Sequence, residues 1–154
     1  MTHEHWMGYA LREAEKAASR GEVPVGAVVV ANNQIIGRGH NLVETLQDAT
    51  AHAEMISITA AAGSVGSWRL DSATLYVTLE PCPMCSGAIL LSRIGMVVFG
   101  AADSRFGACG SVTNVIGKNP FGPAIEVVRG IIENQSQILL QEFFQKIRHR
   151  NIEK

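Results

Sequence analysis

Four residues in two short segments have the side-chain types of a catalytic metal centre. His52 and Glu54 are separated by one residue, and Cys82 and Cys85 are separated by Pro83 and Met84. Two thiolates and one neutral imidazole suit Zn²⁺, cancel its charge and leave a fourth tetrahedral position open. We therefore expect His52, Cys82 and Cys85 to hold one zinc ion per chain. An open position is typical of catalysis rather than of a purely structural site.

Glu54 has the position of a general acid and base beside that metal. It follows the histidine by two residues, so it shares the site without having to bind the ion. Zinc makes a bound water acidic enough to lose a proton near neutral pH. We expect Glu54 to accept that proton and to pass it to a ring nitrogen and then to a departing amine. The predicted reaction is hydrolytic deamination of a nitrogen heterocycle, with ammonia as a product.

Three other interpretations of these segments remain open. A Cys-x-x-Cys pair alone is also found in redox sites, but a redox pair does not require His52. Cys109 is a possible fourth ligand of a closed structural zinc site, which would leave Glu54 without a task. A zinc-stabilised RNA-binding module without turnover is the alternative from another functional class. A general base beside an open zinc position argues against that module.

The composition indicates one globular domain spanning residues 1–154. The chain is 47% hydrophobic and has a formal net charge of −1. Its first residues are polar and no apolar run is long enough to cross a bilayer, so we expect a cytoplasmic protein without a membrane partner. The charge gives no general attraction to nucleic acid. An RNA partner would have to be bound by a local surface.

The spacing of apolar residues predicts alternating helices and strands. The predicted helices cover residues 3–20, 51–62 and about 83–92, with a last one from about 134. The predicted strands cover residues 25–31, 34–39, 73–79, 96–101 and 125–128, and residues 107–122 are expected to be irregular. Thr50 is expected to cap the second helix and Gly63 to end it. The order indicates an α/β protein with helices on both faces of a mixed sheet.

Both metal-binding segments are predicted at helix starts. Helix N-termini carry partial positive charge, which stabilises thiolates. The H-x-E and P-C-x-x-C pair is also the signature of zinc-dependent nucleobase deaminases. Nearly the whole chain resembles the bacterial tRNA-specific adenosine deaminases, which convert a wobble adenosine to inosine. The segments that carry this resemblance are residues 22–27, 39–41, 50–54, 75–85, 87–88, 92–94, 97–101, 103, 107–108 and 110–111.

The resemblance implies a three-layer α/β/α cytidine-deaminase-like fold with a mixed five-stranded sheet, a homodimer and a tRNA anticodon loop as partner. It implies that Asn41 hydrogen-bonds the flipped base and that Asp103 reaches the neighbouring ribose. Ala53 and Phe144 are further candidate substrate contacts, Phe144 as a stacking ring. Local roles stay open as well, because Asn41 can satisfy a loop backbone and Asp103 can cap a turn.

The sequence leaves two questions about the substrate open. A free-base or nucleoside deaminase, such as a guanine deaminase, uses the same zinc chemistry and is the alternative to the tRNA enzyme. The basic residues near the C-terminus either contact phosphates or form a solvated helix end. These residues are Lys146, Arg148, His149, Arg150 and Lys154. Phe143 is expected in the core because it shares helical spacing with apolar neighbours.

Overall fold

A computed structural model gives the fold of residues 1–153, in which five strands form one sheet between two layers of helices. The helices are α1 His3–Ser19, α2 Val43–Leu46, α3 Ala53–Val65, α4 Pro83–Leu91 and α5 Glu133–Glu153. The strands are β1 Gly26–Ala31, β2 Gln34–His40, β3 Thr74–Leu79, β4 Met96–Ala101 and β5 Glu126–Val128. None of the helices in this part of the chain has the length and apolar character that a membrane crossing requires.

The sheet is mixed, as the sequence predicts. Its strand order is β2-β1-β3-β4-β5, with β1 antiparallel to both neighbours and β3, β4 and β5 mutually parallel. Asn32 and Asn33 make the tight turn between β1 and β2, with φ angles of 50° and 60°. Both asparagines therefore adopt the positive φ that a two-residue hairpin turn needs.

Each face of the sheet is covered by its own apolar core. Val28 and Val30 of β1 pack with Trp6, Met7 and Ala10 of α1 on one face. The alternate side chains of the same strands pack on the other face against residues of α3 and α4, including Ala53, Ile58, Ala61, Ile89 and Leu90. Central strands that are buried on both faces require the continuous apolar sequence seen in β1, β3 and β4.

The predicted ends of α3 are wrong. Its N-cap is His52 rather than Thr50, whose hydroxyl instead donates to Asp48 at 2.8 Å within the preceding turn. The helix runs through Gly63 to Val65, and Gly66 ends it with a φ of 69°. Glycine adopts a left-handed conformation at little energetic cost, and Gly66 rather than Gly63 has that conformation at the end of α3. His52 is thereby placed immediately before the first turn of α3.

Helix α2 was not predicted, because its cap comes from far along the chain. The carboxylate of Glu22 accepts hydrogen bonds from the backbone N–H groups of Glu44 at 3.0 Å and Thr45 at 2.7 Å. The Thr45 hydroxyl donates to the same carboxylate at 2.7 Å. A cap supplied by a residue outside the local segment leaves no signal in that segment. Glu22 thus fixes the loop that follows β2.

Helix α3 approaches β2 closely because Gly37 has no side chain. A Cβ atom at Gly37 would overlap the Ser57 carbonyl oxygen and lie 2.6 Å from the Ala61 nitrogen. Both are backbone atoms of α3 and have little freedom to move. We expect Gly37→Ala to lower the free energy of unfolding by about 3 kcal/mol, measured by urea denaturation.

Gly63→Ala is the matched control, since a Cβ atom there meets no heavy atom within 4 Å. This variant is expected to raise stability by about 0.5–1 kcal/mol, because alanine is the better residue inside a helix. Equal stability of the two variants would contradict the close packing of α3 on β2.

Candidate active site

His52, Cys82 and Cys85 converge at the starts of two helices. His52 is the N-cap of α3 and Cys82 is the N-cap of α4, each with an extended backbone. Cys85 lies in the first turn of α4 and is buried. The His52 Nδ1 atom lies 3.6 Å from Cys82 Sγ and 3.5 Å from Cys85 Sγ. The N-terminal ends of α3 and α4, which lie on the same face of the sheet, therefore meet at one three-residue cluster.

The spacing of these atoms fits a tetrahedral metal. Zinc–nitrogen and zinc–sulfur bonds of about 2.0 and 2.3 Å place the two ligand atoms about 3.5 Å apart at the tetrahedral angle. The three candidate ligand atoms all lie within 4.8 Å of one another. Pro83, in the first turn of α4, has no N–H group to donate and so suits the helix start. The cluster can hold a metal ion without rearrangement of the backbone.

Cys109 lies outside this cluster. Within the described residues, the group that can hold a metal contains His52, Cys82 and Cys85 alone. The Cys109 sulfur is buried and lies 3.7 Å from the Ser86 hydroxyl. Burial raises the pKa of the Cys109 thiol to about 11. The arrangement gives no support to a closed site with three cysteines and one histidine.

The two clustered thiols differ sharply in acidity. Hydrogen bonding from the Cys85 thiol lowers the pKa of Cys82 to about 4, and the hydrogen bond with His52 adds to this effect. The same pairing with Cys82, followed by burial, raises the pKa of Cys85. The hydrogen bond to Cys82 raises the pKa of His52. Before a metal binds, one thiolate is thus already available at the helix start.

Glu54 lies beside the cluster but is not one of its members. It is in the first turn of α3 and is only 4% exposed. Burial raises the pKa of its carboxyl group, although a hydrogen bond with the Cys85 thiol opposes the shift. A carboxyl group with a raised pKa can both accept and return a proton near neutral pH. Its environment suits proton transfer better than permanent ionisation.

One cavity joins the cluster to the four candidate substrate residues. It has a volume of about 680 Å³, and its lining includes His52, Glu54 and Cys82. The four residues, which the sequence places on four different segments, line the same cavity: Asn41, Ala53, Asp103 and Phe144. Phe144 is 42% exposed at the cavity edge. The adjacent Phe143 also lines the cavity although it is largely buried, as its apolar spacing predicts.

Asn41 and Asp103 also have the local roles that the sequence left open. The Asn41 side-chain oxygen accepts a hydrogen bond from the Val43 N–H group at 3.3 Å. One carboxylate oxygen of Asp103, Oδ1, accepts from the N–H groups of Arg105 at 2.9 Å and Phe106 at 3.2 Å. Each side chain therefore shapes its own turn while it faces the cavity. The remaining polar atoms, Asn41 Nδ2 and Asp103 Oδ2, are the ones to consider for a ligand.

Phe106 was missed as a cavity residue. It lines the cavity and is 62% exposed, three residues after Asp103. The only signal was its place directly before residues 107–122, the segment expected to be irregular, since loops often carry functional side chains. Lys146, Arg148, His149 and Arg150 are exposed on α5 next to the cavity-lining Ile147, whereas Lys154 lies outside the described residues.

The fold and the cluster define the class of the protein. A mixed five-stranded sheet between helices, with an H-x-E and P-C-x-x-C cluster at two helix starts, is the architecture of the cytidine-deaminase-like enzymes. The chain matches the family described as "MafB19-like deaminase" over residues 1–148. It is therefore a deaminase.

Comparison with known proteins narrows the class to a family. The chain is 50% identical to the tRNA-specific adenosine deaminase of Bacillus subtilis, over 96% of this chain and 91% of the relative. A structure from a study of A-to-I editing by tRNA:A34 deaminases at the wobble position superposes with a TM-score of 0.84, at 42% identity, over 88% of this chain and 99% of that one. The chain belongs to the tRNA-specific adenosine deaminase family.

A guanine deaminase is a more partial match. The structure of the Bacillus subtilis enzyme is 40% identical and has a TM-score of 0.63, but it covers 66% of each chain. The match to this guanine deaminase structure therefore covers about two thirds of the chain.

The unequal acidity of the cysteines predicts selective alkylation after metal is removed by chelation. With a pKa of about 4, Cys82 is already a thiolate at about pH 6, so its iodoacetamide reaction should change little up to about pH 8. Cys109 is the internal control and should stay unmodified, because it is buried and its thiol has a pKa of about 11. Peptide mass spectrometry measures both rates. A steep rise of the Cys82 rate over this range would contradict the assignment.

Proposed function

We propose that this chain hydrolytically deaminates the wobble adenosine of a tRNA anticodon loop to inosine. The observation that carries the proposal is one cavity containing His52, Cys82 and Glu54 together with Asn41 and Asp103. Family membership supports the tRNA substrate, since the Bacillus subtilis relative bears the name tRNA-specific adenosine deaminase and is similar over nearly its whole length. Residues 1–154 would then form one deaminase domain.

Zinc is the proposed cofactor, held by His52, Cys82 and Cys85. The donor set of one imidazole and two cysteines fits zinc, and the 3.5 and 3.6 Å spacings fit its tetrahedral geometry. When bound, zinc supplies a Lewis acid that makes a coordinated water acidic near neutral pH. His52 binds through Nδ1, the ring nitrogen that faces both sulfur atoms.

Glu54 is the proposed proton shuttle. Its carboxylate takes one proton from the attacking water and delivers it to N1 of the adenine ring. It then takes the second proton from the new hydroxyl group at C6 and passes it to the amino group, which leaves as ammonia when the C6–N bond breaks. A buried carboxyl group with a raised pKa can hold each proton between its acceptance and its delivery. Because Glu54 is only 4% exposed, its proton exchanges little with bulk solvent during the reaction.

Asn41, Asp103, Ala53 and Phe144 are the proposed substrate contacts. The Asn41 side-chain NH₂ can donate to an acceptor on the base edge, since its oxygen is already used by Val43. The second oxygen of Asp103 can accept from a ribose 2′-hydroxyl, which distinguishes RNA from DNA. Ala53, at the first position of α3, lines the cavity and can contact the base only through its backbone or methyl group. Phe144 offers an exposed ring for stacking.

The shape of the cavity rim favours a nucleic acid loop over a free base. Phe106 and Phe144 line the cavity and are 62% and 42% exposed, so neither ring is enclosed within it. A loop adenosine that is already unpaired enters such a site without the cost of breaking a base pair. Exposed Lys146, Arg148 and Arg150 on α5 can meet the phosphates that follow the base.

The homodimer is proposed from the family resemblance. An exposed surface patch supports it, in which the Arg93 guanidinium lies 3.8 Å from the centre of the Phe121 ring and 5.3 Å from that of Trp68. Large exposed apolar surface of this kind is typical of protein interfaces. Sedimentation equilibrium tests the proposal. A molar mass twice the 16.5 kDa of the chain supports a dimer, and 16.5 kDa contradicts it.

The substrate assay compares an anticodon stem-loop carrying a wobble adenosine with free guanine, adenosine and cytidine. We expect inosine at the wobble position and no ammonia from the free compounds. A stem-loop with guanosine at the wobble position is the matched control and should not react. Ammonia from guanine alone would overturn the tRNA proposal in favour of a free-base deaminase, and no product from any substrate would favour a non-catalytic module.

Glu54→Ala should abolish turnover while zinc stays bound. Loss of a general acid and base costs about 10²–10⁴ in kcat, and Glu54 is not among the proposed ligands. Single-turnover assays and metal analysis measure the two properties separately. Cys85→Ser is the comparison variant and should lose zinc as well as activity. Near-normal activity of the Glu54 variant would remove this residue from the proton path.

A further inference from the structure

Glu80 is a buried carboxylate for which the proposed mechanism has no task. It follows β3 directly and precedes the Pro81-Cys82 segment, and it is only 2% exposed. Its Oε1 atom accepts from the Asp103 N–H group at 3.1 Å and from the Ser111 hydroxyl. Its Oε2 atom accepts from the N–H groups of Cys109 at 3.0 Å and Ser111 at 3.1 Å. Both carboxylate oxygens therefore accept hydrogen bonds from the segment that follows β4.

Backbone contacts bind the same two segments together. The Glu80 N–H group donates to the Ala101 carbonyl at 2.8 Å, and the Ala108 N–H group donates to the Pro81 carbonyl at 2.9 Å. Gly107 lies directly against the carboxylate, since a Cβ atom there would come within 2.6 Å of Glu80 Oε1. The segment from residue 101 to residue 111 is thus wrapped around one side chain next to Cys82.

We propose that Glu80 is a positioning residue. It sets the distance between the metal-binding cluster and Asp103, which lines the substrate cavity. The Asp103 side chain fixes the local turn through Arg105 and Phe106, but those bonds lie within the segment and do not tie it to α4. The Glu80 side chain binds the Asp103 N–H group itself, from a point two residues before Cys82. The inference rests on the proposed function and deepens it.

Charge and shape both explain why a carboxylate is required. Four donors meet two oxygens, and an ionised carboxylate has about four acceptor sites. A glutamine offers one acceptor oxygen and one NH₂ group. If its oxygen stays with the Cys109 and Ser111 N–H groups, its NH₂ group faces the Asp103 N–H group, while the Ser111 hydroxyl can turn and accept. Glu80→Gln therefore releases the Asp103 backbone selectively.

The kinetic test uses the zinc-loaded enzyme and the anticodon stem-loop. We expect Glu80→Gln to raise KM about tenfold and to change kcat less than about threefold, because a charge-assisted hydrogen bond at the substrate wall is lost while Glu54 and the ligands stay in place. Zinc content should remain one per chain. Glu126→Gln, at an exposed position on β5, is the matched control and should behave like the parent. An unchanged KM would overturn the proposal.

A double-mutant cycle separates positioning through Asp103 from general destabilisation. If Glu80 acts through Asp103, Glu80→Gln should add less than about twofold to KM in an Asp103→Ala background. A structural role alone would give multiplicative effects on KM in the double variant. Multiplicative effects would therefore contradict the proposal even if the single variant is impaired.

Hydrogen exchange provides a readout that does not depend on activity. The Asp103 amide should exchange faster in Glu80→Gln than in the parent, while the Ala108 amide, which is bonded to Pro81, should be unchanged. If Glu80→Gln does not fold, Ser111→Ala removes one of the four bonds and should produce a smaller change in KM and in exchange at Asp103. Unaltered exchange at Asp103 would overturn the proposal. Inactivity of the parent on the stem-loop, with faster exchange in the variant, would overturn the proposed function and keep the positioning role.

Discussion

The distance between the first turns of α3 and α4 is the constraint on which the rest of the site depends. Three atoms, His52 Nδ1 and the sulfurs of Cys82 and Cys85, must lie within a few ångströms although two separate helices carry them. The approach of α3 to β2 at Gly37 fixes one helix, and the turn from β3 through Pro81 fixes the other. A metal ion would add bonds across this junction, so metal binding and the packing of α3 and α4 must be coupled.

Three buried glutamates show how the same residue type acquires different tasks. Burial acts to raise the pKa of each carboxyl group. At Glu22 and Glu80, hydrogen bonds from several backbone N–H groups and a hydroxyl outweigh that effect, and the pKa is lowered. Glu54 has no comparable set of donors, and its pKa is raised. The first two are held as carboxylates that order neighbouring loops, whereas the third is suited to proton transfer.

Local sequence patterns predict the parts of the fold whose causes are local. Short apolar runs predict the five strands, and Pro83 after Cys82 indicates the start of α4. The ends of α3 were mispredicted because Thr50 is engaged by Asp48 and a second glycine follows Gly63. Helix α2 depends on a cap from Glu22, twenty-odd residues away, which no window over residues 43–46 contains. The clustering of His52 with Cys82 and Cys85 was expected from their chemistry. The role of Glu80 was not, because its hydrogen-bond donors lie more than twenty residues further along the chain.

X-ray absorption spectroscopy of the zinc-loaded protein distinguishes an open zinc centre from a closed one, because it counts the atoms bound to the metal. We expect two sulfur ligands at about 2.3 Å and two nitrogen or oxygen ligands at about 2.0–2.1 Å, one from His52 and one from solvent. A shell of three sulfurs would place Cys109 on the metal and make the site structural. Such a result would contradict an open, catalytic zinc centre.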